Sequence, residues 1–374
     1  MEFLYEGLLA ITWQQVVMFC VGGLLIYLAV CKDFEPALLL PMGFGAILVN
    51  LPFSGVLNQV QGGIESGGII EWLFNVGIEA AEAMPILLFI GIGAMIDFGP
   101  LLSNPKLFLF GGAAQFGIFL TILLAAACGF SIEDAASIGI IGAADGPTSI
   151  VVAQTLKSNY VGPIMVVAYS YMALVPIIQP AVIKLTTTKK ERLIRMEYKP
   201  ASVSKRTKIL FPILVTIVSG LIAPASLSLV GMLMFGNLIR ECGVLNYLTD
   251  TAKDVLTNLV TLFLGITIAF TMKAENFITV QTLMIMGLGL CAFIFDTFSG
   301  VMLAKVMNLF LKEKINPMIG AAGISAFPMS ARIVQKMGIK EDPTNHLLMH
   351  AVGANVSGQI ASAIVGGLII GLVL

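Results

Sequence analysis

Residues 138–154 read IGIIGAADGPTSIVVAQ, a run apolar enough for a membrane interior except at Asp145. A carboxylate at bilayer depth costs at least ~3 kcal/mol, so such groups face a protein interior or a wet cavity and bind something positive. Pro147 lacks a backbone donor and Gly146 weakens a helix, which predicts a break whose freed carbonyls add oxygens beside Asp145. An acid with spare carbonyls suits a hard cation or a proton.

Few other polar groups lie in apolar context, and each has an ordinary alternative. Tyr171, in AYSYMALVPIIQP, is a candidate site phenol or an amphipathic aromatic whose hydroxyl finds a backbone partner. In NPMIGAAGISAFPMSAR, Asn316 with Pro317 reads as a helix start, while Gly320 and Gly323 permit close backbone approach. Ser325 offers a hydroxyl or simple small-residue packing, and Arg332, four residues past Pro328, is an anion receptor or a snorkelling helix-end cation. Asn355 shares a small, polar-speckled helix face with Gly353, Ser357, Gly358 and Ser362. His346 and His350 are spaced i, i+4 without the acid of a metalloprotease motif, which argues against a metal site. Asp97 reads as interfacial, whereas Asp296 is deeper and could pair with Lys305 or join a cation path.

The elements that position these groups must be membrane helices. Of 374 residues 57% are hydrophobic and 11% charged, with a mean hydropathy of +0.95, which leaves too little polar surface for a soluble globule. Apolar windows fall near 13–31, 36–53, 84–98, 107–129, 135–156, 161–183, 209–223, 226–240, 257–272, 281–311, 317–335 and 346–373. Residues 52–84, with Glu65, Glu71, Glu79 and Glu82, read as a Gly-rich entry followed by an interfacial helix. The N-terminus lacks the basic region and cleavage site of a signal peptide, so the first span is expected to stay. The five scattered cysteines form no CxxC pair and suggest neither a disulfide framework nor a metal site.

An offset of 181 lays residues 138–154 over 319–335, with identities at Ile138/Ile319, Gly139/Gly320, Gly142/Gly323, Pro147/Pro328, Ser149/Ser330 and Gln154/Gln335. A second echo, LFIGI at 88–92 and LFLGI at 262–266, supports an internal repeat. If 135–156 and 317–335 each enter and leave on one side, the halves become antiparallel. The basic loop 184–208, with nine of the 21 Lys and Arg, then falls on the cytoplasmic side with Lys106, Lys312, Lys314, Arg332, Lys336 and Lys340, and Lys157 alone among these is out of place. The expected fold is an all-α polytopic membrane protein with inverted structural repeats and two broken or re-entrant segments crossing near the membrane midplane. Its parts are 1–83 (N-terminal spans and interfacial segment), 84–183 (first repeat), 184–208 (basic loop), 209–256 (connecting spans) and 257–374 (second repeat).

GAADGPTSI (142–150), FDTFSGVMLAKVMNLF (295–310), NPMIGAAGISAFPMSAR (316–332) and HLLMHAVGANVSGQIASA (346–363) together resemble the membrane beta subunit of sodium-pumping, biotin-dependent decarboxylases acting on oxaloacetate, methylmalonyl-CoA, malonate or glutaconyl-CoA. The similarity covers nearly the whole chain. It implies that a carboxyltransferase alpha subunit loads the biotin of a carrier subunit, and that this chain decarboxylates carboxybiotin while moving sodium outward and taking up a proton. Residue by residue, it implies site roles for Asp145, Tyr171, Asn316, Gly320, Ser325, Arg332 and Asn355. Asp145, Asn316, Ser325 and Asn355 would hold sodium, Tyr171 would close the site or relay a proton, and Arg332 would meet carboxybiotin. Gly146, Pro147, Gly320, Gly323 and Pro328 would shape the breaks.

The resemblance further implies a small gamma or delta membrane subunit, a homo-oligomer, and the cytoplasmic (inner) membrane of a bacterium or archaeon. The chain carries no biotin-attachment MKM motif, no carboxyltransferase domain and no Walker loop or nucleophile triad, and the basic loop suits topology and partner docking better than nucleic acid. The rival readings are a stand-alone sodium- or proton-coupled carrier of an organic anion, which would transport without partners, and a non-transporting scaffold, which needs no buried Asp145.

Overall fold

Two short broken hairpins organise the fold in the computed structural model, which describes residues 3–61, 64–198 and 203–374. Helices are α1 (Trp13–Lys32), α2 (Pro36–Asn50), α3 (Ile69–Glu79), α4 (Ala83–Met95), α5 (Pro105–Ala127), α6 (Ile132–Gly139), α7 (Gly146–Thr155), α8 (Val161–Thr186), α9 (Lys205–Ile222), α10 (Leu227–Cys242), α11 (Asn246–Met272), α12 (Val280–Phe310), α13 (Met318–Ala321), α14 (Met329–Glu341) and α15 (Leu348–Val373). Among the described residues, six helices are long and apolar enough to cross a bilayer: α1, α5, α8, α11, α12 and α15. Helices α3 and α4 form a bent pair at 66°.

The first hairpin is α6, a 3-10 turn at Ile140–Ala143, Ala144 in the left-handed region, and α7. Its two ends meet. The Asp134 carboxylate, in the first turn of α6, accepts from Ser158 Oγ at 2.7 Å, Asn159 N at 2.9 Å and Asn159 Nδ2 at 3.2 Å, just beyond α7. The second hairpin, α13 and α14, is closed at its base by residues 192–194. Asn316 Nδ2 donates to the carbonyls of Arg192 and Ile194 at 2.8 and 2.9 Å, and Arg192 Nε meets Glu341 at 2.7 Å. Each broken segment therefore begins and ends at one face.

Helix α8 fixes which faces these are. It starts beside the base of the first hairpin and ends beside that of the second, and at about 1.5 Å per residue its 26 residues separate them by about 39 Å, a bilayer's depth. The tips nevertheless touch, since Ser325 N donates to Ala143 O at 3.2 Å. One hydrogen bond recurs in both hairpins at the offset of 181: Ser149 Oγ donates to Ile140 O at 3.5 Å and Ser330 Oγ to Ala321 O at 3.4 Å, each spanning nine residues. Backbones meet closely at the glycines, where a Cβ on Gly320 would stand 2.0 Å from Gly300 O and one on Gly358 the same distance from Gly323 O.

Charge marks the end of the molecule at which α8 finishes. Arg192, Arg195 and Lys305 pair there with Glu341, Asp342 and Glu191, and Lys208 and Arg240 lie by Asp97. Burial pushes the Asp97 carboxyl up, but the Gly99 amide and the two cations outweigh it and hold it below the usual carboxylate range. Lys305 thus meets Glu191 rather than Asp296, which corrects that expected pair, because α12 carries Lys305 out to the face while Asp296 stays in its buried middle. A cavity of about 900 Å³ opens at this end, with Lys106, Arg195, Lys312 and Lys314 in its lining.

Residues 52–84 differ from their reading. They include a two-stranded antiparallel hairpin, β1 (Asn58–Gln61) and β2 (Ile64–Gly67), before the expected helix α3, because the Gly-rich stretch has too few helix formers to continue one. The Glu65 side chain and residues 62–63 and 199–202, Lys199 of the basic loop among them, lie outside the described residues.

Candidate functional site

Asp145 caps α7. Its backbone is extended, Ala144 before it turns left-handed, and Gly146 and Pro147 occupy the first helical turn, where a missing proline N–H costs nothing. Pro147 therefore starts a helix rather than breaking one. The groups left free by this geometry are N–H donors at a positive helix end, a setting that favours a carboxylate. The expected surplus of carbonyls is correspondingly reduced: Ile140 O accepts from Ser149 and Ala143 O from Ser325 N.

The carboxylate is 3% exposed and unevenly served. Its Oδ2 accepts from Thr148 Oγ1 at 2.7 Å, Ser362 Oγ at 3.0 Å and Gln359 Nε2 at 3.1 Å. Its Oδ1 has, among the described residues, a single contact at 3.5 Å from Thr148 N. Helix α15 joins this group to the other hairpin. Asn355 Nδ2 donates to Ile324 O at 2.6 Å and Ser325 Oγ to Gly358 O at 3.0 Å, both at the second tip. Asn355, Gly358, Gln359 and Ser362 follow i, i+3, i+4, i+7, so one stripe of α15 holds both tips. Asn355 Oδ1 is buried and without a partner among the described residues.

The crossing thus gathers Asp145, Ser325 and Asn355, with oxygens still able to accept at Asp145 Oδ1, Ser325 Oγ and Asn355 Oδ1. A carboxylate and neutral oxygens make a hard-cation donor set. Asn316 is not among them, a correction to the expected ligand set. Its amide holds the base of the second hairpin and its Oδ1 accepts from Met318 N at 3.1 Å, with α13 between it and the tip.

Tyr171 lies on the α12 side of α8, where its hydroxyl donates to Met286 O and its ring packs on Gly289 and Ile141. It is not in hydrogen-bond contact with Asp145 among the described residues. Arg332 stands one turn past Pro328 on α14, exposed, with no carboxylate within 4 Å among the described residues. Its charge reaches Glu35 at the turn between α1 and α2. Burial pushes that carboxyl up, the Arg332 guanidinium opposes the shift, and Asp33 adds to it. Gly323 packs on the Phe110 carbonyl of α5 and Gly146 under the Tyr169 ring.

Sequence reasoning missed Thr148 and Gln359 and placed Ser362 only on a packing face. The signal available was the α15 periodicity, which puts Gln359 and Ser362 on the face of Asn355. It also missed that Asp296 and Ser299 bridge an interruption of α5 at Ala114–Gln115. Asp296 Oδ1 accepts from Gly117 N at 2.6 Å, while Ser299 Oγ donates to Ala113 O at 2.7 Å.

Two broken hairpins that enter from opposite ends of a helical bundle and meet at a buried acid are an arrangement of a polytopic membrane protein of the kind that many transporters use. The comparisons give the lineage. Residues 14–373 match the family described as Na+-transporting oxaloacetate decarboxylase beta subunit. The chain is 50% identical to the methylmalonyl-CoA decarboxylase subunit beta of Propionigenium modestum, over 98% of this chain and 96% of that protein. It is 47% identical to the glutaconyl-CoA decarboxylase subunit beta of Acidaminococcus fermentans, with the same coverage, and 43% identical to the oxaloacetate decarboxylase beta chain of Klebsiella pneumoniae, over 98% and 97%. The chain belongs to this family of beta subunits of sodium-transporting decarboxylases.

Proposed function

We propose that the chain decarboxylates carboxybiotin presented by a carrier subunit and couples this to outward sodium transport with proton uptake. The observation that carries the reading is the meeting of Asp145 with the second tip and the α15 stripe. One half supplies the negative charge for a cation, and the other supplies neutral oxygens with Arg332 on the basic side.

Sodium is the cargo. It enters from the basic face and is held by Asp145 Oδ1 with Ser325 and Asn355, while Gln359, Ser362 and Thr148 orient the carboxylate. Arg332 receives the carboxylate of carboxybiotin. The bond between the ureido nitrogen and the carboxyl carbon breaks, carbon dioxide leaves, and the nitrogen takes one proton to become N–H. Loss of that anion beside Arg332 removes what held the second hairpin, and the halves, which we take as an inverted repeat, change which side the site faces. Tyr171, between α8 and α12, closes the site or relays the proton. Moving each charge against 100 mV takes ~2.3 kcal/mol.

In this reading the partners are a carboxyltransferase alpha subunit, a biotin carrier subunit and a small gamma or delta membrane subunit. The chain forms a homo-oligomer in the cytoplasmic membrane of a bacterium or archaeon, with the basic loop inside. The test is decarboxylation of carboxybiotin by the purified chain in vesicles with and without sodium. Sodium-dependent turnover that moves sodium is expected. Transport of an organic anion by the chain alone, with no carboxybiotin turnover, would overturn the reading in favour of a stand-alone carrier.

A further inference from the structure

The AYSYM stretch places two tyrosines two residues apart, which on a helix turns them to nearly opposite faces. Tyr171 faces α12 and its hydroxyl is engaged with the Met286 carbonyl. Tyr169 faces the first hairpin. It is 2% exposed and its ring covers Gly146, where a Cβ would stand 2.3 Å from Tyr169 Cε1 and Cζ. The glycine after Asp145 is therefore the floor on which this ring rests.

The Tyr169 hydroxyl has no hydrogen-bond partner among the described residues. A buried O–H left unmade costs about 1–3 kcal/mol, and tyrosines in apolar surroundings ordinarily place their hydroxyl on an acceptor. Met18, Leu39, Met42, Ile150, Met165 and Leu264 belong to the same buried apolar cluster as the ring. One residue away, Asp145 Oδ1 is the oxygen served by a single long contact, while Oδ2 takes three donors. A donor without an acceptor on α8 and an acceptor with hardly a donor at the start of α7 thus both lie beside Gly146.

We propose that Tyr169 is a further binding residue of the cation site, its hydroxyl bonding Asp145 Oδ1 when the site is empty and turning its oxygen to the cation when the site is loaded. A phenol can take both parts because the O–H rotor donates in one orientation and leaves lone pairs free in the other. An exchange of this kind keeps Asp145 Oδ1 paired in both states, so the site empties without leaving that oxygen unserved in the membrane interior. Tyr169→Phe removes only this oxygen and keeps the ring on Gly146.

This inference rests on the sodium-site reading above, and the experiment separates the two. Thermal unfolding of the purified full chain in detergent is followed with sodium chloride titrated against choline chloride, for the wild type, Tyr169→Phe and Asp145→Asn. Sodium stabilises the wild type in proportion to its binding. Tyr169→Phe is expected to melt below the wild type without sodium, having lost the bond to Asp145 Oδ1, and to need about 10-fold more sodium for the same stabilisation, the equivalent of one lost hydrogen bond of about 1.4 kcal/mol. A sodium midpoint within about two-fold of the wild type, beside an Asp145→Asn variant that has lost its sodium response, overturns the role of Tyr169 and leaves the site standing. An Asp145→Asn variant that responds to sodium as the wild type does overturns the site itself. Should Tyr169→Phe fail to fold, Tyr169→Leu in the same titration takes its place, and a sodium midpoint unchanged there overturns the proposal equally.

Discussion

In the first hairpin Ser149 closes on Ile140 and in the second Ser330 closes on Ala321, one hydrogen bond used twice at the same offset, yet the turns they close carry different chemistry. The first holds Asp145; at the equivalent place the second has Ala326 beside Ser325, with Arg332 six residues past Ala326. Helices α8 and α15 each carry a glutamine to one of the hairpins. Gln179 of α8 donates to Ala321 O at 2.8 Å and Ser330 Oγ at 2.5 Å, while Gln359 of α15 donates to Asp145. Common scaffolding with unlike charge is what a coupled device needs, because one hairpin can answer to a cation and the other to an anion. Neither has to do both.

The largest effect falls on the charged residues that set the two hairpins apart. Asp145→Asn removes the anion from a buried charge interaction worth about 3–5 kcal/mol, and is expected to lower sodium-dependent decarboxylation at least about 100-fold and to abolish sodium uptake in inverted vesicles. Decarboxylation persisting at full rate without transport would break the coupling. Arg332→Gln comes next. Losing a charge-assisted contact of about 1.5–3 kcal/mol should reduce kcat/KM for carboxybiotin about 10- to 100-fold, while sodium-induced stabilisation of the chain is unchanged. If both fall together, the hairpins do not divide the work.

A smaller pair of substitutions sharpens the likeness rather than the difference. Ser149→Ala and Ser330→Ala each remove one neutral hydrogen bond, so each should destabilise the chain by about 1 kcal/mol or less, measured by thermal unfolding. Unequal losses would mean the two closures are not equivalent. The smallest effect concerns the basic face. An acid whose folded-state pKa lies below its unfolded value, as for Asp97, contributes stability that is full above the unfolded value and is lost as pH falls through the folded one. Asp97→Asn should therefore match the wild type below about pH 4 and fall slightly behind it above, by melting temperature across that range.

Much of this was legible in the residues. Asp145 announced itself because hydrocarbon makes a lone acid conspicuous, and the correspondence of residues 138–154 with 319–335 set beside it Ser325, which lies on the second tip. Asn355 followed from a helix face. The partners of Asp145 were harder because Gln359 and Ser362 lie 214 and 217 residues away, and only the stripe they share with Asn355 links them. Asn316 was misplaced by treating a motif as a site: nine residues and a helix turn separate it from Ser325, enough to put it at the mouth. The sense of the break at Pro147 was also hidden, since Gly-Pro ends one helix or begins the next with the same letters. The β1–β2 hairpin had only weak local signals.

The central claim, that a cation binds where the first hairpin's acid meets the second hairpin's tip, is most directly tested by equilibrium binding of radioactive sodium to the purified chain, comparing the wild type with Asp145→Asn and Asn355→Ala. The account expects saturable binding by the wild type, none by Asp145→Asn, and about 10-fold weaker binding by Asn355→Ala, which loses a neutral oxygen. Wild-type affinity in Asp145→Asn would contradict it.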